Sequence, residues 1–147
     1  MTSVTLVRHV AARPEIVFEA ITTPEGIAHW WGPDPGPVLF ADIDLRVGGR
    51  FRVRFRMLDA TEHESSGEFL ELVRPTRVAM SWRWLGSESE GQSRVEFTLR
   101  ESAGGTELTL THSLLPNEQA RADHEAGWNG ALDKLQRYFP SKDARND

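Results

Sequence analysis

Histidine is the residue type in this sequence best suited to acid/base or metal chemistry near neutral pH, because the chain has five histidines and no cysteine. The absence of cysteine excludes disulfides, thiolate metal sites and cysteine nucleophiles. The histidines are His9, His29, His63, His112 and His124. None forms the H-x-x-x-H pair that places two ligands on one helix face, so we expect no metal site and no cofactor.

His112 is the histidine with the clearest candidate role. It alternates with Leu108 and Leu110 along a predicted strand, so it is expected to share their apolar face. There it is either a core residue with satisfied hydrogen bonds or the one titratable group of a cavity. In both cases we expect desolvation to lower its pKa below the usual value of about 6.5, provided that no carboxylate approaches it.

Paired carboxylates and an activated serine are the other common routes to catalysis. Asp42 and Asp44 alternate against Ala41, Ile43 and Leu45, so both acids are expected to point away from the apolar face. No serine lies in the glycine-flanked turn of a nucleophile elbow. We therefore assign no catalytic residue.

Aromatic side chains offer a second kind of chemistry, the binding of apolar or ring-bearing molecules. Trp30 and Trp31 end a short helical segment and point about 100° apart; Trp30 is expected to be core, and Trp31 either core or part of a cavity mouth. Trp82 and Trp84 share a strand face, where they either fill the core or wall a pocket. The candidate ligand-binding residues are Trp31, Phe51, Phe55, Met57, Met80, Trp82, Trp84, Phe97, Leu110, His112, Trp128 and Leu132.

The elements that must position these residues follow from hydrophobic periodicity. A strand is predicted over residues 4–9, and prolines at first helical positions predict short helices over 14–21 and from 24 to about 31. A period of two then predicts strands at Leu39–Val47, Arg50–Met57, Glu64–Val73, Arg77–Trp84, Arg94–Glu101 and Thr106–Leu114. After Asn117 the spacing of Trp128, Leu132, Leu135 and Phe139 predicts a long helix that ends at Pro140.

This order of elements predicts an α+β fold with a single antiparallel sheet of six or seven strands. The short connections favour a meander, and the long C-terminal helix is the element large enough to cover its apolar face. Gly48 and Gly49 permit a bend that leaves space between helix and sheet. We expect one domain over residues 1–140 and a flexible tail over 141–147.

Composition limits the partners. The net charge of -5 argues against a strongly basic face for nucleic acid. The basic stripe of Arg50, Arg52, Arg54 and Arg56 is expected to pair with glutamates on neighbouring strands, for which the candidates are Glu68, Glu71, Glu96 and Glu101. No stretch has the length of a signal peptide or a membrane span, which predicts a cytoplasmic protein without membrane insertion.

Five segments occur in the order and spacing of a known family. They read PEIVFEAITTPEGIAHWWGP, DLRVGGRFRVRF, GEFLELVRPTRVAMSWRW, GGTELTLTHSLLP and GWNGALDKLQRYF. Across nearly its whole length the chain resembles the family of the activator of the ninety-kilodalton heat-shock chaperone ATPase, a branch of the START-like superfamily. The resemblance implies the helix-grip fold, in which a curved antiparallel sheet wraps a long C-terminal helix and encloses a cavity for an apolar or amphipathic small molecule.

The eukaryotic activators carry an additional N-terminal domain, for which 147 residues leave no room, so we expect the stand-alone domain. The leading prediction is a binding protein for a small hydrophobic or aromatic ligand, acting as a monomer or homodimer. One alternative is a cyclase-like or hydratase-like enzyme that uses the same cavity, with His112 and water transferring protons. The other is a co-chaperone-like interaction protein with a chaperone as its partner.

Overall fold

Seven strands and three helices follow one another in the order that the periodicity predicts. The computed structural model describes residues 2–86 and 91–139. The predicted flexible tail at 141–147 and part of the connection between the predicted strands Arg77–Trp84 and Arg94–Glu101 lie outside these residues. The elements are β1 (Thr2–Val10), α1 (Pro14–Thr22), α2 (Pro24–Ile27), β2 (Val38–Ile43), β3 (Arg50–Arg56), β4 (Glu62–Val73), β5 (Arg77–Trp84), β6 (Ser93–Ser102), β7 (Gly105–Leu115) and α3 (Glu118–Tyr138).

The strands form one seven-stranded antiparallel sheet with the order β1-β7-β6-β5-β4-β3-β2. Strands β2 to β7 are a meander, and β1 pairs with the last strand, with Leu6 opposite Leu110. The sheet curves around α3, and the two short helices follow β1 in the chain. This arrangement confirms the predicted α+β class and the helix-grip fold.

The buried face of the sheet is the one that alternation predicts. In β3, Phe51, Val53 and Phe55 are buried, while the arginines between them face outward. Helix α3 contributes Leu132 and Leu135 to the same core. The apolar stripe of α3 therefore covers the apolar face of the sheet, as a two-layer domain requires.

An arginine on the inner side of β1 ties α3 to the edge of the sheet. The Arg8 guanidinium donates to Asn129 Oδ1 at 2.6 Å, to Asp133 Oδ1 at 2.7 Å and to Gln136 Oε1 at 2.7 Å. The three acceptors are spaced at i, i+4 and i+7, so they lie on one face of the helix. Arg8 thereby anchors the C-terminal half of α3 over β1.

Helix α2 is shorter than predicted, since it ends at Ile27 and not near Trp31. Beyond Ile27 the backbone tightens, because His29 N bonds Gly26 O at 3.1 Å and Trp30 N bonds Ile27 O at 3.2 Å, both in the i to i+3 pattern. This turn directs the Trp30 indole inward, where Nε1 donates to Ala20 O at 2.8 Å. Trp30 is therefore core, as expected.

Strand β2 also ends early, at Ile43 and not at Val47. The chain turns at once, with Arg46 N bonded to Asp44 O at 2.9 Å. Gly48 has a φ of +86°, a conformation that favours glycine. The predicted bend at the glycine pair is thus present, and it shortens the preceding strand.

The outward-facing arginines of β3 form ion pairs with Glu62 and Glu64, which were not predicted, whereas the predicted Glu68 lies opposite Arg50 in the register. Antiparallel register puts Arg54 opposite Glu64 and Arg56 opposite Glu62. Arg54 Nε lies 2.8 Å from Glu62 Oε1, and Arg52 Nε lies 3.0 Å from Glu64 Oε2. The predicted acids Glu71 and Glu96 pair instead with Arg77 and Arg94.

In the described part of the chain, no helix has both the length and the apolar character that crossing a membrane requires.

Candidate functional site

A cavity of about 510 Å³ lies between the concave face of the sheet and α3. Its sheet side is formed by aromatic and apolar residues of β3, β4 and β5, and its helix side by the first half of α3. The loop after α2 forms the remaining edge. The lining residues are Trp31, Gly32, Pro33, Phe55, Met57, His63, Trp82, Trp84, Leu85, Asn117, Gln119, Ala120, Asp123, His124, Gly127, Trp128 and Ala131.

The cavity is open because α3 presents small residues to the large rings of the sheet. Ala120, Gly127 and Ala131 lie on one helix face at i, i+7 and i+11. A Cβ atom added at Gly127 would have the Pro33 Cβ as its nearest neighbour, at 3.8 Å. Gly130 differs, because its Cβ atom would lie 2.1 Å from the Pro33 carbonyl oxygen. Gly127 therefore leaves space, whereas Gly130 permits close packing of the loop.

The loop at the cavity edge is held by Lys134. Its Nζ donates to Trp31 O at 3.0 Å and to Asp34 O at 2.6 Å, and burial lowers the pKa of this half-buried amine. On the other side, Asp34 Oδ2 accepts from Leu58 N at 3.1 Å. The loop is thus fastened both to α3 and to the turn after β3, which positions Trp31.

Trp82 is the centre of the aromatic wall. It stacks on Trp31 with ring centroids 5.5 Å apart and contacts Trp84 at 5.4 Å and Trp128 at 5.3 Å. Its indole N–H is buried, and no group in the described part of the chain accepts a hydrogen bond from it. Such an unpaired donor costs about 1 to 3 kcal/mol, so the position of this ring is determined by aromatic packing.

Two further indoles of the cavity wall, that of Trp84 on the sheet and that of Trp128 on α3, are hydrogen-bonded to histidines. Trp84 Nε1 donates to His124 Nε2 at 3.0 Å, and Trp128 Nε1 donates to His112 Nδ1 at 3.0 Å. An indole N–H can only donate, so each accepting imidazole nitrogen is unprotonated. His124 Nδ1 then donates to Ala120 O at 2.8 Å, and His112 Nε2 donates to Ser93 Oγ at 2.7 Å. This bonding pattern assigns opposite tautomers to the two rings, with the proton on Nδ1 in His124 and on Nε2 in His112.

His112 is fully buried and does not line the cavity. Burial, and secondarily the neighbouring His124, lower its pKa to about 3. The two imidazole rings are 4.4 Å apart, with His124 on the cavity side. Both ring nitrogens of His112 are hydrogen-bonded. Of the two alternatives for this residue, the structure therefore agrees with a core histidine that has satisfied hydrogen bonds.

Six of the twelve predicted ligand-binding residues line the cavity: Trp31, Phe55, Met57, Trp82, Trp84 and Trp128. The other six are not among its lining residues, namely Phe51, Met80, Phe97, Leu110, His112 and Leu132. All six are buried on the predicted face, but at other positions along the strands and the helix. Whether any of the twelve binds a ligand stays a prediction.

Several lining residues were not predicted, and His124 is the main one. Its signal is helical spacing, because it precedes Trp128 by four residues and so shares its face. His63 is another, opposite Phe55 in the β3–β4 pairing. Among the described residues, no cluster of three or more histidine, aspartate or glutamate side chains is arranged to hold a metal ion.

A curved sheet that grips a long helix, with an aromatic cavity between them, defines a START-like helix-grip protein. The family model described as "Activator of Hsp90 ATPase homolog 1-like protein" matches residues 11–140. The chain belongs to this family. A search of curated protein sequences returned no match.

Solved structures agree with this assignment. A protein from Chromobacterium violaceum is 26% identical with a TM-score of 0.82, over 95% of this chain and 98% of its own. An AHSA1 protein from Silicibacter pomeroyi is 26% identical with a TM-score of 0.83, over 93% and 96%. CalU16 from Micromonospora echinospora is 29% identical with a TM-score of 0.72, over 97% and 79%.

Proposed function

We propose that this protein binds a small hydrophobic or aromatic molecule in the cavity between the sheet and α3. The observation that carries the proposal is the cavity of about 510 Å³ with Trp31, Phe55, Trp82, Trp84 and Trp128 in its wall. Pockets for small molecules have volumes of roughly 300 to 1,000 Å³ and mainly apolar and aromatic linings.

The wall favours flat, ring-bearing molecules. Its indoles offer large polarisable surfaces, and two of them already donate their N–H groups to histidines. These two N–H groups are therefore already engaged, and the rings themselves contribute affinity by burial of apolar surface.

The test fills the cavity from the helix side. Gly127→Leu places a side chain in the open space, and Ala126→Leu adds a similar side chain at the exposed neighbouring position, which is not among the lining residues. Binding of 2-acetylnaphthalene is measured by calorimetry. We expect Gly127→Leu to weaken binding at least tenfold while the protein stays folded, and Ala126→Leu to bind like the parent. Equal binding by both variants would place the ligand elsewhere.

The Gly127→Leu variant also tests the two alternative functions, an enzyme and a chaperone partner. Incubation of the protein with ring-bearing probes followed by mass spectrometry detects any product, and turnover abolished by Gly127→Leu would favour an enzyme. The family description names an activator of the Hsp90 ATPase. Stimulation of a purified Hsp90 ATPase by this protein, unaffected by Gly127→Leu, would favour a chaperone partner that binds outside the cavity.

A further inference from the structure

The charged groups around the cavity are unequal in sign. Among the described residues that line it, none is lysine or arginine, and the ionisable ones are His63, Asp123 and His124. Asp123 is exposed on α3, where its Oδ1 accepts from Gln119 Nε2 at 2.9 Å. Asp123 is therefore the one carboxylate among the described lining residues, and no lysine or arginine lies beside it in the lining.

The two imidazoles that line the cavity are already hydrogen-bonded. His124 accepts from Trp84 at Nε2 and donates to Ala120 O from Nδ1, so protonation would break the bond to Trp84. His63 is exposed, and its Nε2 lies 3.3 Å from Thr61 Oγ1.

Two cations of α3, Lys134 and Arg121, are engaged by other groups. Lys134 donates to two backbone carbonyls at the cavity edge. Arg121 lies between Glu118, at 2.7 Å, and Glu125, at 3.2 Å. Neither lines the cavity, so neither is placed to pair with a buried anion.

The aromatic wall, like Asp123, favours a positively charged ligand over a negatively charged one. The faces of indole and phenyl rings carry partial negative charge and attract cations, most strongly in the case of tryptophan. An anion enclosed by such rings loses its hydration without gaining a counter-ion. The protein as a whole carries a net charge of -5, which also attracts cations.

We propose that the cavity selects flat ring-bearing molecules that carry a positive charge, such as an aryl ammonium, and rejects carboxylates built on the same ring. Asp123 supplies the charge at the cavity edge, and the indoles supply the apolar and cation-attracting surface. This inference rests on the proposed function, because it specifies the charge of the ligand in the same cavity.

Three naphthalenes of similar size test the inference by calorimetry at pH 8: 2-naphthyltrimethylammonium, 2-acetylnaphthalene and 2-naphthoate. We expect the ammonium compound to bind at least tenfold more tightly than the carboxylate, a difference of about 1.4 kcal/mol. Binding of the neutral ketone with no preference for the cation over the anion would overturn the charge selection and leave the proposed function intact. Absence of binding by all three would overturn both.

Two variants that change the net charge of the protein by the same amount separate the role of Asp123 from that of the net charge. Asp123→Lys reverses the charge at the cavity edge, whereas Glu125→Lys reverses a charge two residues away that does not line the cavity. We expect Asp123→Lys to reduce the ratio of cation to anion affinity at least fivefold and Glu125→Lys to change it less than twofold. Equal effects would assign the preference to net charge and contradict the role of Asp123.

Discussion

Trp128 of α3 donates its indole N–H to Nδ1 of His112 in β7 across 3.0 Å, and both side chains are buried. This hydrogen bond joins the helix to β7, the strand next to the β1 edge of the sheet. It also determines the tautomer of His112, which in turn donates to Ser93 Oγ at 2.7 Å. One indole thus sets the orientation of a three-residue hydrogen-bonded chain.

Removal of this donor is expected to destabilise the fold. Trp128→Phe keeps an aromatic ring but leaves the buried Nδ1 of His112 without a partner, at a cost of about 1 to 3 kcal/mol in the free energy of unfolding. Trp31→Phe is the matched control, because no described residue accepts a hydrogen bond from its indole. Urea unfolding should show a larger loss for Trp128→Phe, and equal losses would mean that the bond adds nothing to stability.

Acid is expected to destabilise the protein through His112. Its pKa is lowered to about 3 in the folded state, chiefly by burial, whereas the unfolded chain has a pKa of about 6.5. The unfolded state therefore binds the additional proton first, and stability present above pH 6.5 is lost as the pH falls toward 3. The slope approaches about 1.4 kcal/mol per pH unit.

The measurement is urea unfolding at pH 7.5, 6.0 and 5.0 for the parent protein and His112→Asn. Asparagine does not titrate, so the variant should lose less stability between pH 6.0 and 5.0 than the parent. The other titrating groups are common to both proteins and cancel in the comparison. Parallel pH profiles would show that His112 keeps an ordinary pKa.

Two glycines on α3 should respond to the same substitution with opposite signs. Gly127→Ala adds to the helix a methyl group that makes an ordinary van der Waals contact with the Pro33 Cβ at 3.8 Å, which should raise the free energy of unfolding by roughly 0.5 to 1 kcal/mol. Gly130→Ala places its Cβ atom 2.1 Å from the backbone oxygen of Pro33 and should destabilise the fold. Thermal melts should show Tm rising in the first variant and falling in the second; a rise in both would mean that the loop moves freely.

Lys134 should control the loop that carries Trp31. Lys134→Met keeps much of the stem but removes the ammonium that donates to Trp31 O and Asp34 O. Loss of these bonds should cost about 1 to 2 kcal/mol in stability and weaken binding of 2-acetylnaphthalene, because Trp31 loses its support. Calorimetry and urea unfolding measure the two effects, and unchanged affinity would show that the loop needs no such clamp.

The predictable part of this protein is local. Alternation in β3 places Phe51 and Phe55 on the buried face, and helical spacing in α3 places Trp128 and Leu132 on one stripe. These periodicities depend only on backbone geometry, which is the same wherever the element lies. The order of elements and the antiparallel sheet follow from the sequence for this reason, whereas the family was indicated by the resemblance of five sequence segments.

The position of the cavity was decided by tertiary structure. Phe51 and Phe55 share a face and a strand, yet only Phe55 lines the cavity, because the crossing of α3 over the sheet determines which part of that face is covered. The arginine partners likewise depended on the β3–β4 register. Neither the crossing of α3 over the sheet nor the β3–β4 register can be read from the hydrophobic period of a single helix or strand.

The roles of the histidines were also decided by the fold. The sequence identified His112 by its apolar neighbours on β7, but the partners that fix its tautomer come from β6 and α3. Helical spacing places His124 on the same helix face as Trp128, but its hydrogen bond to Trp84 exists only when α3 lies against β5. Local sequence determines which face a side chain occupies, whereas hydrogen bonding and desolvation depend on groups that only the folded chain brings together.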